Sequence, residues 1–220
     1  MIESIAENLK KVRTTLPPDV SLVAVSKTKP DEAISEAYST GHRIFGENKV
    51  QEMTQKWERL PKDIQWHMIG HLQTNKVKYI APYVALIHSL DRVKLAKEIN
   101  RQGQRYRRVI DCLIQIKIAK EEEKHGFNLD QASAFLDEMT RDTWPNLRVR
   151  GVMGMATFTQ DTKQIQQEFS ILKTFFEQNK TKHNLEILSM GMSADYPIAL
   201  DLGSNMIRIG SAIFGARQAH

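Results

Sequence analysis

The feature that most constrains the fold of this chain is a regular alternation between short apolar runs and stretches with helical spacing. The apolar runs occur eight times, near residues 21–27, 43–46, 65–69, 84–88, 109–116, 147–153, 185–190 and 206–210. Between most of them lie segments with helical spacing, for example 30–39, 47–60, 91–102, 129–139 and 162–178. Strands that alternate with helices in this way favour parallel βαβ units.

Eight such units in succession predict an α/β protein, a single (β/α)8 TIM-type barrel that occupies residues 1–220 as one domain. Right-handed crossovers repeated eight times close a sheet into a barrel, and barrels of this kind need about 200 residues or more. The alternative is an open doubly wound sheet. A glycine-rich dinucleotide motif is absent after the first strand, where the sequence SKTKP (26–30) stands, and this disfavours the alternative.

Apolar residues spaced by three or four predict an additional helix before the first strand: Ile2, Ile5, Leu9, Val12 and Leu16. Two prolines at positions 17 and 18 end this helix. Aspartates are predicted to cap two later helices, Asp91 before the segment 91–102 and Asp161 before the segment 162–178.

The composition suits one domain with a full core, since 41% of the 220 residues are hydrophobic. The net charge of +5 is too small to indicate nucleic-acid binding by itself. The arginines within 101–108 predict a solvated helix end, with a patch for nucleic acid or an acidic partner as the alternative. The single cysteine, Cys112, is expected to be buried and to serve in packing.

Because neither a signal peptide nor a membrane span is visible, we expect a cytoplasmic protein with no membrane association.

The histidines His67 and His71 have the i, i+4 spacing of a zinc-binding helix. Such a helix needs a glutamate after the first histidine, and Met68 stands there instead. The pair also spans a predicted strand end that contains Gly70. We therefore predict no metal site and expect polar lining or loop packing as the role of the two histidines.

Lys27 closes the first apolar run, at the end of a predicted strand. In a (β/α)8 barrel the functional face is formed by the C-terminal ends of the strands. A crowded lysine loses its proton readily, and the free amine attacks aldehydes to form a Schiff base. The position of Lys27 thus predicts an attachment point for an aldehyde.

The segments after the seventh and eighth strands have the character of a phosphate site. Gly191 and Gly210 allow close approach of the backbone, and Ser193 and Ser211 are predicted to cap short helices over 194–202 and 212–214. Barrel phosphate sites often use these two loops together with a helix N-terminus. Ordinary loop glycines and caps are the alternative interpretation.

Arg208 interrupts the last apolar run, so its charge needs a partner. An acidic neighbour is one interpretation, and a phosphate or a ring nitrogen is another. A guanidinium only donates hydrogen bonds, so a pyridine nitrogen facing it stays unprotonated. Such a ring is a weaker electron sink. Arg208 would therefore hold a cofactor with a pyridine ring without strongly activating it.

Six segments together resemble the pyridoxal phosphate homeostasis protein family: VAVSKTKP (23–30), FGENKVQE (45–52), WHMIGHLQTNK (66–76), IHSLDR (87–92), LSMGMSADYPIAL (188–200) and IRIGSAIFG (207–215). That family is similar to the barrel of alanine racemase without its second, β domain. The resemblance implies that Lys27 holds pyridoxal 5'-phosphate (PLP) as an internal aldimine. It places the other cofactor-binding positions at Asn48, Gly191, Met192, Ser193, Arg208, Gly210 and Ser211. The family usually has an aromatic residue at position 49 and threonine at 205, where this chain has Lys49 and Asn205.

The function expected from this resemblance is a non-catalytic carrier or regulator in PLP (vitamin B6) and amino-acid homeostasis. The main alternative is a PLP-dependent amino-acid racemase, which needs two opposed proton-transfer groups. Lys27 supplies one, and nothing places Tyr196 across the cofactor from it. A cofactor-free Schiff-base lyase and a macromolecule-binding module are weaker alternatives. We expect a monomer, with PLP-dependent apo-enzymes as further partners.

Overall fold

The computed structural model describes residues 4–119, 125–139 and 142–215. Parallel strands form a closed barrel in which each strand pairs with its neighbours in chain order. The strands are β1 (Ser21–Val25), β2 (Ile44–Glu47), β3 (Gln65–Met68), β4 (Leu86–Leu90), β5 (Ile110–Gln115), β6 (Leu147–Met153), β7 (Ile187–Met192) and β8 (Met206–Ile209). Because β8 pairs with β1 along the register from Ser21↔Met206 to Ala24↔Ile209, the barrel is confirmed and the open sheet is excluded.

The helices surround the barrel and connect successive strands. They are α1 (Ile5–Thr14), α2 (Asp31–Ser39), α3 (Val50–Arg59), α4 (Val77–Ile80), α5 (Val93–Arg105), α6 (Leu129–Asp137), α7 (Thr162–His183), α8 (Tyr196–Asp201) and α9 (Ser211–Phe214). A 3-10 turn, Thr74–Lys76, precedes α4. The extra N-terminal helix is confirmed by α1, although Ile2 lies outside the described residues.

The main core lies between the helices and the outer face of the barrel, and the barrel interior is filled separately. An apolar layer inside the barrel contains five buried residues: Val23, Leu86, Leu113, Met153 and Met206. His88 and Arg208 follow Leu86 and Met206 by two positions on their strands. Because alternate strand residues share a face, these polar side chains form the next interior layer toward the C-terminal rim.

Of the two aspartates predicted to cap helices, one is confirmed as a cap. The Asp161 carboxylate accepts hydrogen bonds from the backbone N–H groups of Lys163 (3.0 Å) and Gln164 (3.2 Å) at the start of α7. The prediction for Asp91 is wrong, because Arg92 occupies the cap position of α5. The Asp91 carboxylate is instead paired with Arg92 and His71.

We expect Asp161→Ala to reduce the free energy of unfolding by about 1 kcal/mol, because two N-terminal amides of α7 lose their acceptor. For a chain of this size the melting temperature should fall by about 2–4 °C. Asp161→Asn keeps a side-chain oxygen at the same position and is the matched control. Equal losses for the two variants, measured by thermal unfolding, would show that the cap does not stabilise α7.

The expectations for Cys112 and for the arginine segment can be compared with the structure. Cys112 is fully buried, as predicted. In the arginine segment, Arg101 pairs with Glu98, and Arg108 donates to the carbonyl oxygens of Ala81 (2.6 Å) and Val84 (2.8 Å). Among the described helices, none is long and apolar enough to cross a membrane.

Candidate functional site

The predicted site residues lie on four contiguous strands of the barrel, in the spatial order β7-β8-β1-β2. Lys27 follows β1 by two residues, and Asn48 follows β2 directly. Gly191 and Met192 end β7, and Gly210 follows β8. Because parallel strands bring their C-terminal ends to one rim, these residues occupy one half of the barrel mouth.

A tight turn at the end of β1 positions Lys27. The Ser26 N–H donates to the Gly46 carbonyl (3.0 Å) of β2, and the Lys29 N–H donates to the Ser26 carbonyl (3.1 Å). Thr28 has a φ of 64°, which places a β-branched residue in the left-handed region. Its N–H donates to Glu52 Oε1 at 2.6 Å, so a charged acceptor on α3 holds this unfavourable turn.

A buried ionic network lies directly beneath this turn. Lys56 Nζ donates to Glu47 Oε1 (2.8 Å), Glu52 Oε1 (2.7 Å) and the Ser26 carbonyl (2.8 Å). The Ser26 hydroxyl also donates to Glu47 Oε1 at 2.6 Å. Burial raises the pKa of Glu47 to about 7, although Lys56 and Ser26 both act to lower it. The network therefore holds Ser26, the residue before Lys27. Through Glu52 it also holds Thr28, the residue after Lys27.

Sequence reasoning did not identify this network. A signal exists in α3, where Val50, Met53 and Lys56 are spaced by three and are all buried on the face turned to the barrel. A lysine on the apolar stripe of a helix needs a buried partner. Only the folded position of α3, which packs against β2 and β3 and whose side chains reach the turn after β1, reveals that these partners hold the turn of Lys27.

Arg208 lies inside the barrel and is only 4% exposed. Its NH1 group donates to Ser189 Oγ (2.6 Å) and its NH2 group to the Gly154 carbonyl (3.3 Å). Burial lowers the pKa of Arg208 to about 10, and nearby Asp195 acts in the opposite direction. At neutral pH this guanidinium stays protonated and donates only.

The loop after β7 differs from the predicted helix cap. The Asp195 carboxylate accepts the Met192 N–H at 2.6 Å, and the Asp195 N–H donates to the Met192 carbonyl at 3.1 Å. This turn delays the helix, so α8 begins at Tyr196 with Asp195, not Ser193, at its cap. The predicted cap at Ser211 is also wrong by one residue, since Gly210 is the cap and Ser211 begins α9.

Gly191 is required by helix packing at the rim, whereas Asn48 carries a buried polar atom that a ligand could satisfy. Gly191 has a φ of +99°, and an added Cβ would lie 2.7 Å from Ala199 Cβ, so the strand end lies directly against α8. Asn48 Oδ1 is buried and has no hydrogen-bond partner among the described residues. A buried polar atom without a partner is costly, and a donor from a ligand at the rim would satisfy it.

The two positions that depart from the family pattern differ in location. Lys49 is exposed at the start of α3, on the rim beside Asn48. Asn205 precedes β8 at the opposite end of the barrel, where its side chain accepts the Leu188 N–H (2.8 Å) and donates to the Glu186 carbonyl (2.7 Å). Of the two, Lys49 lies on the rim at the mouth and Asn205 lies away from it.

The two histidines of the i, i+4 pair lie in different environments. His67 is inside the barrel, where its Nδ1 is 3.0 Å from His88 Nε2. Burial lowers the pKa of His67 to about 3 and that of His88 well below its ordinary value, so both rings are neutral. His71 lies on the rim beside Asp91. His67 and His71 therefore lie in separate environments, one in the barrel interior and one at its rim.

Comparison with known proteins connects this geometry to a family. The family model for the alanine racemase N-terminal domain matches residues 2–218. The pyridoxal phosphate homeostasis protein of Aquifex aeolicus is 39% identical over 200 residues, which cover 90% of this chain and 87% of the relative. The chain belongs to the pyridoxal phosphate homeostasis protein family. The family resemblance found in the six sequence segments is thereby confirmed.

Solved structures support the same family membership. PipY of Synechococcus elongatus is 35% identical, and its structure without PLP has a TM-score of 0.91, covering 96% of this chain and all of PipY. A second PipY structure, with PLP bound, has a TM-score of 0.87. Alanine racemase of Clostridium difficile shares the fold at 13% identity, with a TM-score of 0.80 and coverage of 99% of this chain and 58% of the racemase. This chain thus shares the barrel fold of the alanine racemase N-terminal domain.

Proposed function

We propose that this chain binds PLP through Lys27 and serves in PLP and amino-acid homeostasis. The observation that carries the proposal is the position of Lys27 on a rim turn held by the buried Glu47–Lys56 network, beside the strand that carries the buried Arg208. PLP supplies an aldehyde that condenses with a primary amine and a pyridine ring that withdraws electrons. Lys27 Nζ is the primary amine that would hold the aldehyde carbon of PLP.

The remaining predicted residues have proposed roles around this bond. The backbone at Gly191 and Gly210 and the hydroxyl groups of Ser193 and Ser211 would receive the phosphate. The Met192 N–H is already used by Asp195, so Met192 would line the pocket through its side chain. Asn48 would accept a hydrogen bond from the cofactor through its unpaired Oδ1.

Arg208 supports a holding role in preference to catalysis. Its guanidinium is protonated and anchored to Ser189 and Gly154, so it donates to whatever faces it from the mouth. A pyridine nitrogen that accepts from it stays unprotonated, which weakens the ring as an electron sink. The residue would orient PLP and limit the acidity of an attached amino acid.

The racemase alternative needs a second proton-transfer group across the cofactor from Lys27, and Tyr196 does not supply it. Tyr196 was the candidate in the sequence, and its hydroxyl lies 3.5 Å from Thr15 Oγ1, just beyond α1. This contact turns the phenol toward the N-terminal helix and away from the rim. The relatives are named as homeostasis proteins, which also supports the carrier role.

The proposal is tested on purified protein loaded with PLP. Borohydride reduces a C=N bond irreversibly, and peptide mapping should find the phosphopyridoxyl group on Lys27. Steady exchange of the α-proton of single amino acids, at a rate above the Lys27→Ala background, would contradict a non-catalytic carrier. A reduced adduct on another lysine would contradict the assignment of the site.

A further inference from the structure

A second cluster of ligating side chains lies on the opposite half of the barrel rim. His71 follows β3, Asp91 follows β4, and His125 follows β5. Each offers one ligand atom, and these atoms all lie within 4.8 Å of one another. His71 Nδ1 is 3.2 Å from Asp91 Oδ2, and the His71 and His125 rings stack at a centroid distance of 3.9 Å.

We propose that His71, Asp91 and His125 form a binding site for a divalent first-row transition metal such as Zn²⁺, Co²⁺ or Ni²⁺. Two imidazoles and one carboxylate are the donor set that these ions prefer, whereas Mg²⁺ and Ca²⁺ prefer oxygen ligands alone. Three protein ligands leave coordination positions open to water or a small ligand at the mouth.

The contacts of Asp91 orient its carboxylate for metal binding. Its side chain is 4% exposed, and its Oδ1 is paired with Arg92 while Oδ2 faces His71. Arg92 is fixed in turn by the Leu72 carbonyl (3.0 Å) and Thr74 Oγ1 (3.2 Å). A hydrogen bond on the second oxygen of a ligating carboxylate is the usual supporting contact in metal sites.

The two histidines combine an anchored backbone with adjustable rings. The His125 carbonyl accepts from Gln115 Nε2 at 2.9 Å, and the Phe127 N–H donates to the Gln115 carbonyl at 2.8 Å, so β5 holds this loop. The His71 side chain is 38% exposed and has room to turn. A tetrahedral metal needs donors about 3.3 Å apart, so modest ring rotation closes the site.

Charge also indicates which metals this site selects. Arg92 balances the charge of Asp91, so the cluster does not attract cations through net negative charge. Affinity must come from coordination by the imidazole nitrogens, which favours transition metals over Mg²⁺ and Ca²⁺. Because ligating imidazoles must be unprotonated, the affinity falls in acid.

The test is titration of untagged protein, first stripped with a chelator, with Co²⁺ followed by visible absorption and with Zn²⁺ followed by calorimetry. We expect one metal per chain and a loss of affinity of about tenfold or more in His71→Ala, His125→Ala and Asp91→Asn, since even supporting contacts contribute that much. The matched control is His183→Ala. His183 Nε2 also lies 3.2 Å from an aspartate, Asp137, but among the described residues no third ligand joins this pair.

The same titration on Lys27→Ala separates this site from chelation by PLP. Retained metal binding in that variant supports the proposal, and loss of binding overturns it. Wild-type affinity in His71→Ala, or an equal loss in His183→Ala, also overturns it. Because His71 is exposed, its alanine variant should fold, and a melting temperature equal to that of the wild type makes its loss of metal interpretable.

Discussion

Replacement of Lys27 with alanine should abolish covalent cofactor and the visible absorption that accompanies it. The Cβ of alanine has no nucleophile, so a C=N bond to the PLP aldehyde cannot form at this position. The variant should still fold, because Lys27 is half-buried on a rim turn whose conformation depends on Ser26, Thr28 and Glu52. Absorption spectra of proteins incubated with PLP, desalted and matched in concentration, provide the measurement.

Lys49→Ala is the matched control for this experiment. Lys49 is exposed on the same rim, at the start of α3, and its side chain makes no capping hydrogen bond there. It should keep the absorption of the wild type, which shows that loss in Lys27→Ala is not a general effect of removing an amine near the mouth. An unchanged spectrum in Lys27→Ala would refute the central assignment of this site.

The strands and the barrel were predictable because their signals are local. The eight apolar runs are long enough to mark β1 to β8, and the intervening periodicity marks the helices. The residues at the strand ends then fall on one rim by topology alone, which is why the position of Lys27 at the barrel mouth could be predicted without side-chain positions.

The details that failed depend on tertiary contacts. Ser193 is a good helix cap by type, yet the Asp195 carboxylate takes the Met192 N–H and moves the start of α8. The Asp91 carboxylate is likewise paired with His71, which belongs to the neighbouring connection, and with the adjacent Arg92. A sequence pattern cannot rank acceptors that meet only in the folded protein.

The network beneath Lys27 could not be predicted for the same reason. Glu47 is at the end of β2, Glu52 and Lys56 are in α3, and Ser26 follows β1. Their contacts exist only because α3 packs across two strands. The cluster of His71, Asp91 and His125 also joins three separate connections, so the i, i+4 spacing of His67 and His71 gave no indication of it.

Lys56→Met should destabilise the fold by about 3–5 kcal/mol at pH 8, since it leaves the Glu47 carboxylate buried without its cation. The same change removes the donor that holds the Ser26 carbonyl, so the turn that positions Lys27 should loosen. We therefore expect weaker PLP retention together with the lower stability. Denaturant unfolding and the fraction of PLP kept after desalting measure the two effects separately.

The pH dependence identifies Glu47 as the source of this cost. The pKa of folded Glu47 is raised from an ordinary value of 4.5 to about 7, so between these values the folded protein holds a proton that the unfolded chain has released. Stability is therefore fully present below pH 4.5 and falls as the pH rises toward 7. Without Lys56 the pKa rises further, so the cost of Lys56→Met should be smaller at pH 5 than at pH 8.

The double variant Lys56→Met with Glu47→Gln tests whether the charge of Glu47 causes the loss of stability. Glutamine has no charge to bury, so it should recover part of the lost stability at pH 8 and remove the added pH dependence. Its PLP retention should stay low, because methionine offers no donor in place of the Lys56 ammonium that held the Ser26 carbonyl. Recovery of stability without recovery of PLP would separate the role of the network in folding from its role in positioning Lys27, whereas recovery of both would assign the whole effect to stability.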